Sequence, residues 1–229
     1  MIKKINFPYA TRYNIYLVDE INSTNTYFKD NYQQYENDSV LIALKQTAGR
    51  GRYDRVWQSD DDIIFSILKK NNGYYHLISP LSIALALKKL NINVGIKWPN
   101  DIYLNNKKLS GILIEDIYNN GFVASIIGIG INKTDKDNVL GIGLNIDVDK
   151  YYLIDLILNE FDNLSKMNLK DIIDLYKKYS IVIGKKIIYK NKEYEVLNID
   201  SNGYLVVKND SEKLTLSSDE INIKESLLN

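Results

Sequence analysis

Val40-Leu-Ile-Ala-Leu-Lys-Gln-Thr-Ala-Gly-Arg-Gly-Arg-Tyr-Asp-Arg-Val-Trp57 is an apolar run that breaks into a loop dense in glycine and arginine. Val40 to Leu44 has the aliphatic, β-branched composition of a buried strand, and Ile63 to Leu68 reads the same way. The loop from Gln46 to Trp57 therefore joins two buried strands. Arg50, Arg52 and Arg55 stand within six residues, and like charges at this density repel unless an anion joins them. Gly49 and Gly51 interleave with them, and glycine lets a backbone approach a ligand closely and turn N–H groups toward it. A solvated basic loop and an RNA-binding arginine-glycine segment are the alternatives, although the latter are usually repetitive and disordered. Trp57 beside arginines suits an aromatic base or a partly buried anchor.

Outward from this loop, strands and helices alternate. Ser23 is placed as the N-cap of a helix through Tyr27, Phe28 and Tyr32. Leu81 to Leu90 reads as a core helix with a turn at Asn91, and Ile102 to Leu104, Asn105 to Lys108 and Leu109 to Ile114 as a hairpin. Phe122 to Ile129 is a further strand. Tyr152 to Leu164 and Leu169 to Tyr179 carry apolar residues at spacings of three and four, the pattern of amphipathic helices. After Ile183-Gly184 the period changes to two, with five short strands separated by turns at Asn191, Asn202 and Asn209. The expectation is an α/β (α+β) domain over residues 1–180 and a small β-barrel over 181–229, packed against it.

Composition narrows the chemistry. At 229 residues the chain can bury a core unaided. Lys plus Arg and Asp plus Glu balance at 29 each, so an anion site must be a local cluster of cations. No cysteine is present, which excludes disulfides and thiolate catalysis and suits the cytoplasm. The start has no long apolar run, and no apolar stretch approaches a membrane span. His76 is the single histidine and reads as structural, so no metal ligand set is expected.

Four further stretches could carry chemistry. Lys97-Trp-Pro-Asn-Asp101 puts a cation, an indole and an Asx pair where a strand ends, although Trp98 also reads as core and Asn100 and Asp101 as a satisfied turn. Lys108 stands one residue before a buried strand on which Gly111 permits close packing. Gly128-Ile-Gly-Ile-Asn132 begins like a dinucleotide fingerprint but lacks its third glycine and its helix. Asn22-Ser-Thr-Asn25 alone is only a helix cap.

In this order, Ser23-Thr-Asn25, Gln46-Thr-Ala-Gly-Arg-Gly-Arg52 with Arg55 and Trp57, Lys97-Trp-Pro-Asn-Asp101, Lys108-Leu-Ser-Gly111 and Gly128-Ile-Gly-Ile-Asn132 closely resemble the biotin–protein ligase family. The resemblance implies a mixed sheet flanked by helices, similar to class II aminoacyl-tRNA synthetases, with an SH3-like C-terminal domain. It implies biotin and ATP as substrates with Mg²⁺, a biotinyl-5′-AMP intermediate and a lysine of a biotin carboxyl carrier protein domain as acceptor. A short form without the family's N-terminal DNA-binding domain, hence no DNA binding, and a possible homodimer are further implications. By position, Lys108 is the main catalytic cation, bridging the biotin carboxylate and the α-phosphate. Arg50, Arg52 and Arg55 contact phosphates and the carboxyl region, and Arg50 closes over the adenylate. Ser23, Thr24 and Gln46 hold the ureido ring, with Asn25 and Gly49 beside them in the motifs. Gly111 lines the slot for the thiophene ring, and Trp57 lies near the nucleotide. Asn132, within Gly128-Ile-Gly130-Ile-Asn132, reads adenine, with Asn145 of Gly141-Ile-Gly-Leu-Asn145 as its rival. Lys97, Asn100 and Asp101 shape the phosphate and metal side. Asp54 stands where the family usually has glycine, and the segment after Trp57 lacks the expected proline and glycine. A lipoate–protein ligase shares the fold and the adenylate chemistry, but the GRGR and KWPND stretches argue against it. A binding module for nucleotide or RNA is the alternative from another class.

Overall fold

The computed structural model describes residues 1–57, 61–135 and 141–224, with Asp54 described by its backbone alone. Eight strands form the larger sheet: β1 (Lys3–Ile5), β2 (Asn14–Ile21), β3 (Ser39–Gln46), β4 (Ile63–Lys69), β5 (Gly95–Lys97), β6 (Asp101–Leu104), β7 (Lys107–Tyr118) and β8 (Phe122–Ile131). Their order is β1-β2-β3-β4-β8-β7-β6-β5. β2 and β3 are parallel and the other neighbours antiparallel. A parallel pair needs a crossover, and α1 (Thr24–Asn31) supplies it.

The central strands are buried on both faces, which explains their unbroken apolar reading. Val40 and Ile42 of β3 join the main core, while Leu41 and Ala43 join a smaller cluster around Phe28 of α1. Helices α2 (Tyr75–Lys89), α3 (Lys150–Ser165) and α4 (Leu169–Tyr179) contribute to the main core. No helix among the described residues is long and apolar enough to cross a membrane.

Two differences from the sequence reading stand out. α2 begins at Tyr75, six residues before the expected start at Leu81, and contains Pro80. Nearly all of its residues from Tyr75 to Leu87 are buried, so it shows no apolar stripe, and the proline disguised its first turns. β2 was not placed from the sequence, because its burial alternates imperfectly and Asp19 and Glu20 interrupt its apolar residues.

A second, five-stranded antiparallel sheet holds β9 (Lys186–Tyr189), β10 (Lys192–Ile199), β11 (Leu205–Lys208), β12 (Lys213–Leu216) and β13 (Asn222–Ile223), in the order β12-β11-β10-β9-β13. Its apolar face, including Ile187, Val196, Leu205 and Val207, belongs to the same cluster as the core of the larger sheet. The two parts share a core. At their junction Trp98 is buried and its Nε1 donates to Gly203 O at 3.0 Å. Trp98→Phe should therefore cost about 1–2 kcal/mol in urea unfolding, by leaving a buried carbonyl without its donor. An unchanged midpoint would contradict this account of the junction.

Candidate functional site

The floor of the site is the face of β4, β7 and β8 that turns toward α1. There the strands carry Ser66, Gly111, Gly128 and Gly130 in place of bulky residues. A β-carbon on Gly130 would come 2.5 Å from Trp57 Cε2, and one on Gly111 3.1 Å from Trp57 Cζ3. The indole thus rests on two bare stretches of backbone, with its Nε1 buried and without a hydrogen-bond partner. Gly128 serves another neighbour, since a β-carbon there would strike Asn25 Oδ1.

The start of α1 forms one wall. Ser23 caps the helix, accepting from Thr26 N at 3.4 Å. Gln46 Oε1, at the end of β3, accepts from Thr24 N at 2.7 Å and from Thr24 Oγ1 at 3.1 Å. Ser66 Oγ lies 2.7 Å from Thr24 Oγ1 and 2.6 Å from Asn25 Oδ1. Asn25 Nδ2 donates to Leu113 O at 3.2 Å and to Glu115 Oε2 at 3.1 Å. Asn25 therefore braces α1 against β7. Ser66 was not singled out from the sequence, yet one hydroxyl inside an otherwise apolar strand was its signal.

The arginine loop folds back on itself as a short hairpin. Trp57 N donates to Gly49 O at 2.9 Å, Gly51 N to Arg55 O at 2.7 Å, and Arg50 pairs with Val56. This corrects the reading of its glycines. Gly51 commits its N–H to closing the loop. Gly49 is buried, and a β-carbon there would meet Trp57 O at 2.5 Å and Gln46 Nε2 at 2.9 Å. Within the turn that Gly51 and Arg55 close, Tyr53 adopts a positive φ of 56°. The side chain of Asp54 and residues 58–60, where the loop departs from the family pattern, lie outside the described set.

Each arginine has found an acceptor inside the chain. Arg50 Nη2 lies 3.1 Å from Glu115 Oε1, and Arg52 Nη1 donates to Asn100 Oδ1 at 3.1 Å. Arg52 also reaches the Ser218 carbonyl, and Arg55 pairs with Glu220; both acceptors lie between β12 and β13. The Arg55 hydrogen bond holds the Glu220 carboxyl below its ordinary range against the effect of burial. These long-range contacts leave no trace in local sequence.

Lys108 and Lys97 complete the cationic side. Lys108 Nζ is 2.7 Å from Asp101 Oδ1 and 6.0 Å from the Trp57 ring centroid. Lys97 lies over the Tyr103 ring at 5.4 Å. Burial pushes the Lys97 ammonium below its usual pKa; Asp101 opposes this and neighbouring Lys108 adds to it. Burial also raises Tyr103, to about 12. Asn100 Nδ2 donates to Ile112 O at 2.5 Å, so Asn100 ties the loop to β7. Asn132 Nδ2 donates to Lys108 O at 3.2 Å and Ile142 O at 3.3 Å. Asn145 is exposed and donates to Asp135 Oδ1 at 2.8 Å.

These walls enclose a cavity of about 490 Å³, within the range of small-molecule sites. Of the residues singled out from the sequence, Ser23, Thr24, Asn25, Gln46, Arg50, Arg52, Arg55, Trp57, Lys97, Asn100, Asp101, Lys108, Gly111, Gly128, Gly130 and Asn132 line it. Gly49 is absent from the lining, as are Asn145 and His76. Tyr53, Tyr103 and Glu220 line it without having been singled out. Gly130→Ala tests the floor directly. Forcing a methyl group under the indole should cost about 1–3 kcal/mol and red-shift the emission of Trp57 while Trp98 stays buried. Unchanged stability and emission would show that the indole does not rest on β8.

Comparison with known proteins agrees with this architecture. Residues 17–132 match the model of the biotin/lipoate A/B protein ligase family. The bifunctional ligase/repressor BirA of Escherichia coli K12 is 30% identical over 217 residues, covering 83% of this chain and 68% of that protein. Biotin–protein ligase 2 of Arabidopsis thaliana is 25% identical over 223 residues, with 83% and 68% covered. In fold, the biotin protein ligase from Aquifex aeolicus, solved with biotin and ATP, superposes with a TM-score of 0.78 at 23% identity, over 92% of this chain and 98% of that one. With its arginine loop, its glycine floor and its lysine pair in one cavity, the chain belongs to the biotin/lipoate A/B protein ligase family.

Proposed function

We propose that this chain joins biotin to AMP at the expense of ATP and passes the biotinyl group to a lysine of a biotin carboxyl carrier protein domain. The observation that carries the reading is the convergence of Arg50, Arg52, Arg55, Lys97 and Lys108 on one cavity with the neutral hydrogen-bonding group Ser23, Thr24 and Gln46. Cations suit a carboxylate and phosphates; neutral donors and acceptors suit a buried urea.

In the first step a biotin carboxylate oxygen attacks the α-phosphorus, and the bond to pyrophosphate breaks. In the second, the acceptor amine attacks the acyl carbon, AMP leaves with the bonding pair, and the amine loses a proton. The nucleophiles belong to the substrates, so the chain needs no covalent intermediate of its own. Its residues hold two anions together and stabilise charge developing at the α-phosphate. Lys108 reaches both anions, Asp101 holding its ammonium until they arrive. Arg52 and Arg55 attend the phosphates, and Arg50 closes over the adenylate. Gly111 borders the apolar slot for the thiophene ring. Trp57 lies beside the nucleotide, and Asn132, whose amide nitrogen is committed to backbone, offers adenine its oxygen.

Mg²⁺ would shield the phosphate charge. No cluster of three acidic or histidine ligands exists among the described residues. Asp101 lines the cavity and is the carboxylate that would help hold the ion beside the phosphates.

Biotin should drive exchange of labelled pyrophosphate into ATP without any acceptor, and lipoate should not. Lys108→Ala should slow that exchange by roughly 10²–10³-fold, the cost of losing one charge stabiliser. Exchange driven by lipoate instead would move the chain to the other branch of its family. Full activity in Lys108→Ala would remove that residue from the mechanism.

A further inference from the structure

Glu115 lies on β7 four residues beyond Gly111, on the same face of the strand, with its side chain 14% exposed. Its two oxygens keep different company. Oε2 accepts from Asn25 Nδ2 at 3.1 Å, which fixes the carboxylate to the start of α1. Oε1 accepts from both Arg50 Nη2 at 3.1 Å and Lys29 Nζ at 3.2 Å. Burial alone would raise this carboxyl's pKa. The bonds from Asn25 and Lys29 and the charge of Arg50 outweigh it, so the group stays ionised.

Arg50 commits only its outer nitrogens to this contact. Nη2 faces Glu115, and Nη1 faces Thr26 Oγ1 at 3.4 Å. A guanidinium carries five N–H donors in one rigid plane, so fixing two of its nitrogens aims the remaining donors. Arg50 also lines the cavity, whereas Lys29 does not. Lys29 reaches the same oxygen from outside the cavity and so competes with Arg50 for it.

We propose that Glu115 is a positioning residue that aims the Arg50 guanidinium at the bound acyl-adenylate and so retains that intermediate in the cavity. The inference rests on the adenylate reading above. Glu115 touches no reacting atom; its effect passes through Arg50 alone.

The test is a double-mutant cycle on the rate at which preformed biotinyl-5′-AMP leaves the protein, using Glu115→Gln, Arg50→Ala and the two combined. Glutamine preserves the shape and one acceptor but removes the charge. Release should be about fivefold faster in Glu115→Gln than in wild type, the scale of one weakened charge-assisted hydrogen bond. In the Arg50→Ala background the same substitution should add nothing. Lys29→Met, which removes the competing cation and leaves the cavity lining intact, should leave release unchanged or slower. Equal acceleration by Glu115→Gln in both backgrounds would overturn the proposal, as would unchanged release in Glu115→Gln or faster release in Lys29→Met. A wild-type protein that neither forms nor holds the adenylate would instead overturn the reading beneath it. Adenylate held by wild type, with additive variants, removes only the role given to Glu115.

Discussion

Like-charge repulsion in a small cavity is the constraint from which the rest of the site follows. Three arginines and two lysines line one space of about 490 Å³, and the chain must hold them there before any ligand arrives. It does so by giving Arg52, Arg55 and Lys108 replaceable acceptors, Asn100, Glu220 and Asp101 respectively, while Glu115 holds Arg50. Most of these contacts are at least partly exposed, so each is worth little and yields readily to an incoming phosphate or carboxylate. The acceptors come from distant parts of the chain, and they explain why the site needs both sheets. Glu115 belongs to β7 of the larger sheet, while Glu220 and the Ser218 carbonyl come from the connection between β12 and β13.

A second constraint is steric. The strands beneath the cations form the floor of the cavity. Gly111, Gly128 and Gly130 remove side chains from that floor, and Trp57 and Asn25 pack into the room they leave. The glycines therefore act in packing rather than by lending N–H groups to an anion. Gly49 and Gly51 likewise serve the return of the arginine loop on itself.

The parts legible in the sequence were those with local causes. Apolar runs placed β3, β4 and β8, paired asparagines placed the turn before β7, and Ser23 placed the start of α1. The motifs that carry the family resemblance stand at strand ends that the sheet order gathers around one cavity. What escaped has non-local causes. Glu115, Ser66 and Glu220 matter through partners tens of residues away, and a lone Glu or Ser in sequence carries no sign of them. The first turns of α2 escaped because a helix buried on nearly every side loses its periodicity, and Pro80 reads as a break.

On the function proposed above, this cavity transfers biotin to protein. The direct measurement is intact-mass analysis of a biotin carboxyl carrier protein domain after incubation with the purified chain, ATP and Mg²⁺, with biotin and lipoate offered in parallel. The expected result is one added biotinyl group on a single lysine, dependent on both ATP and biotin. An unmodified domain in the presence of both, or a lipoyl group in place of the biotinyl group, would contradict it.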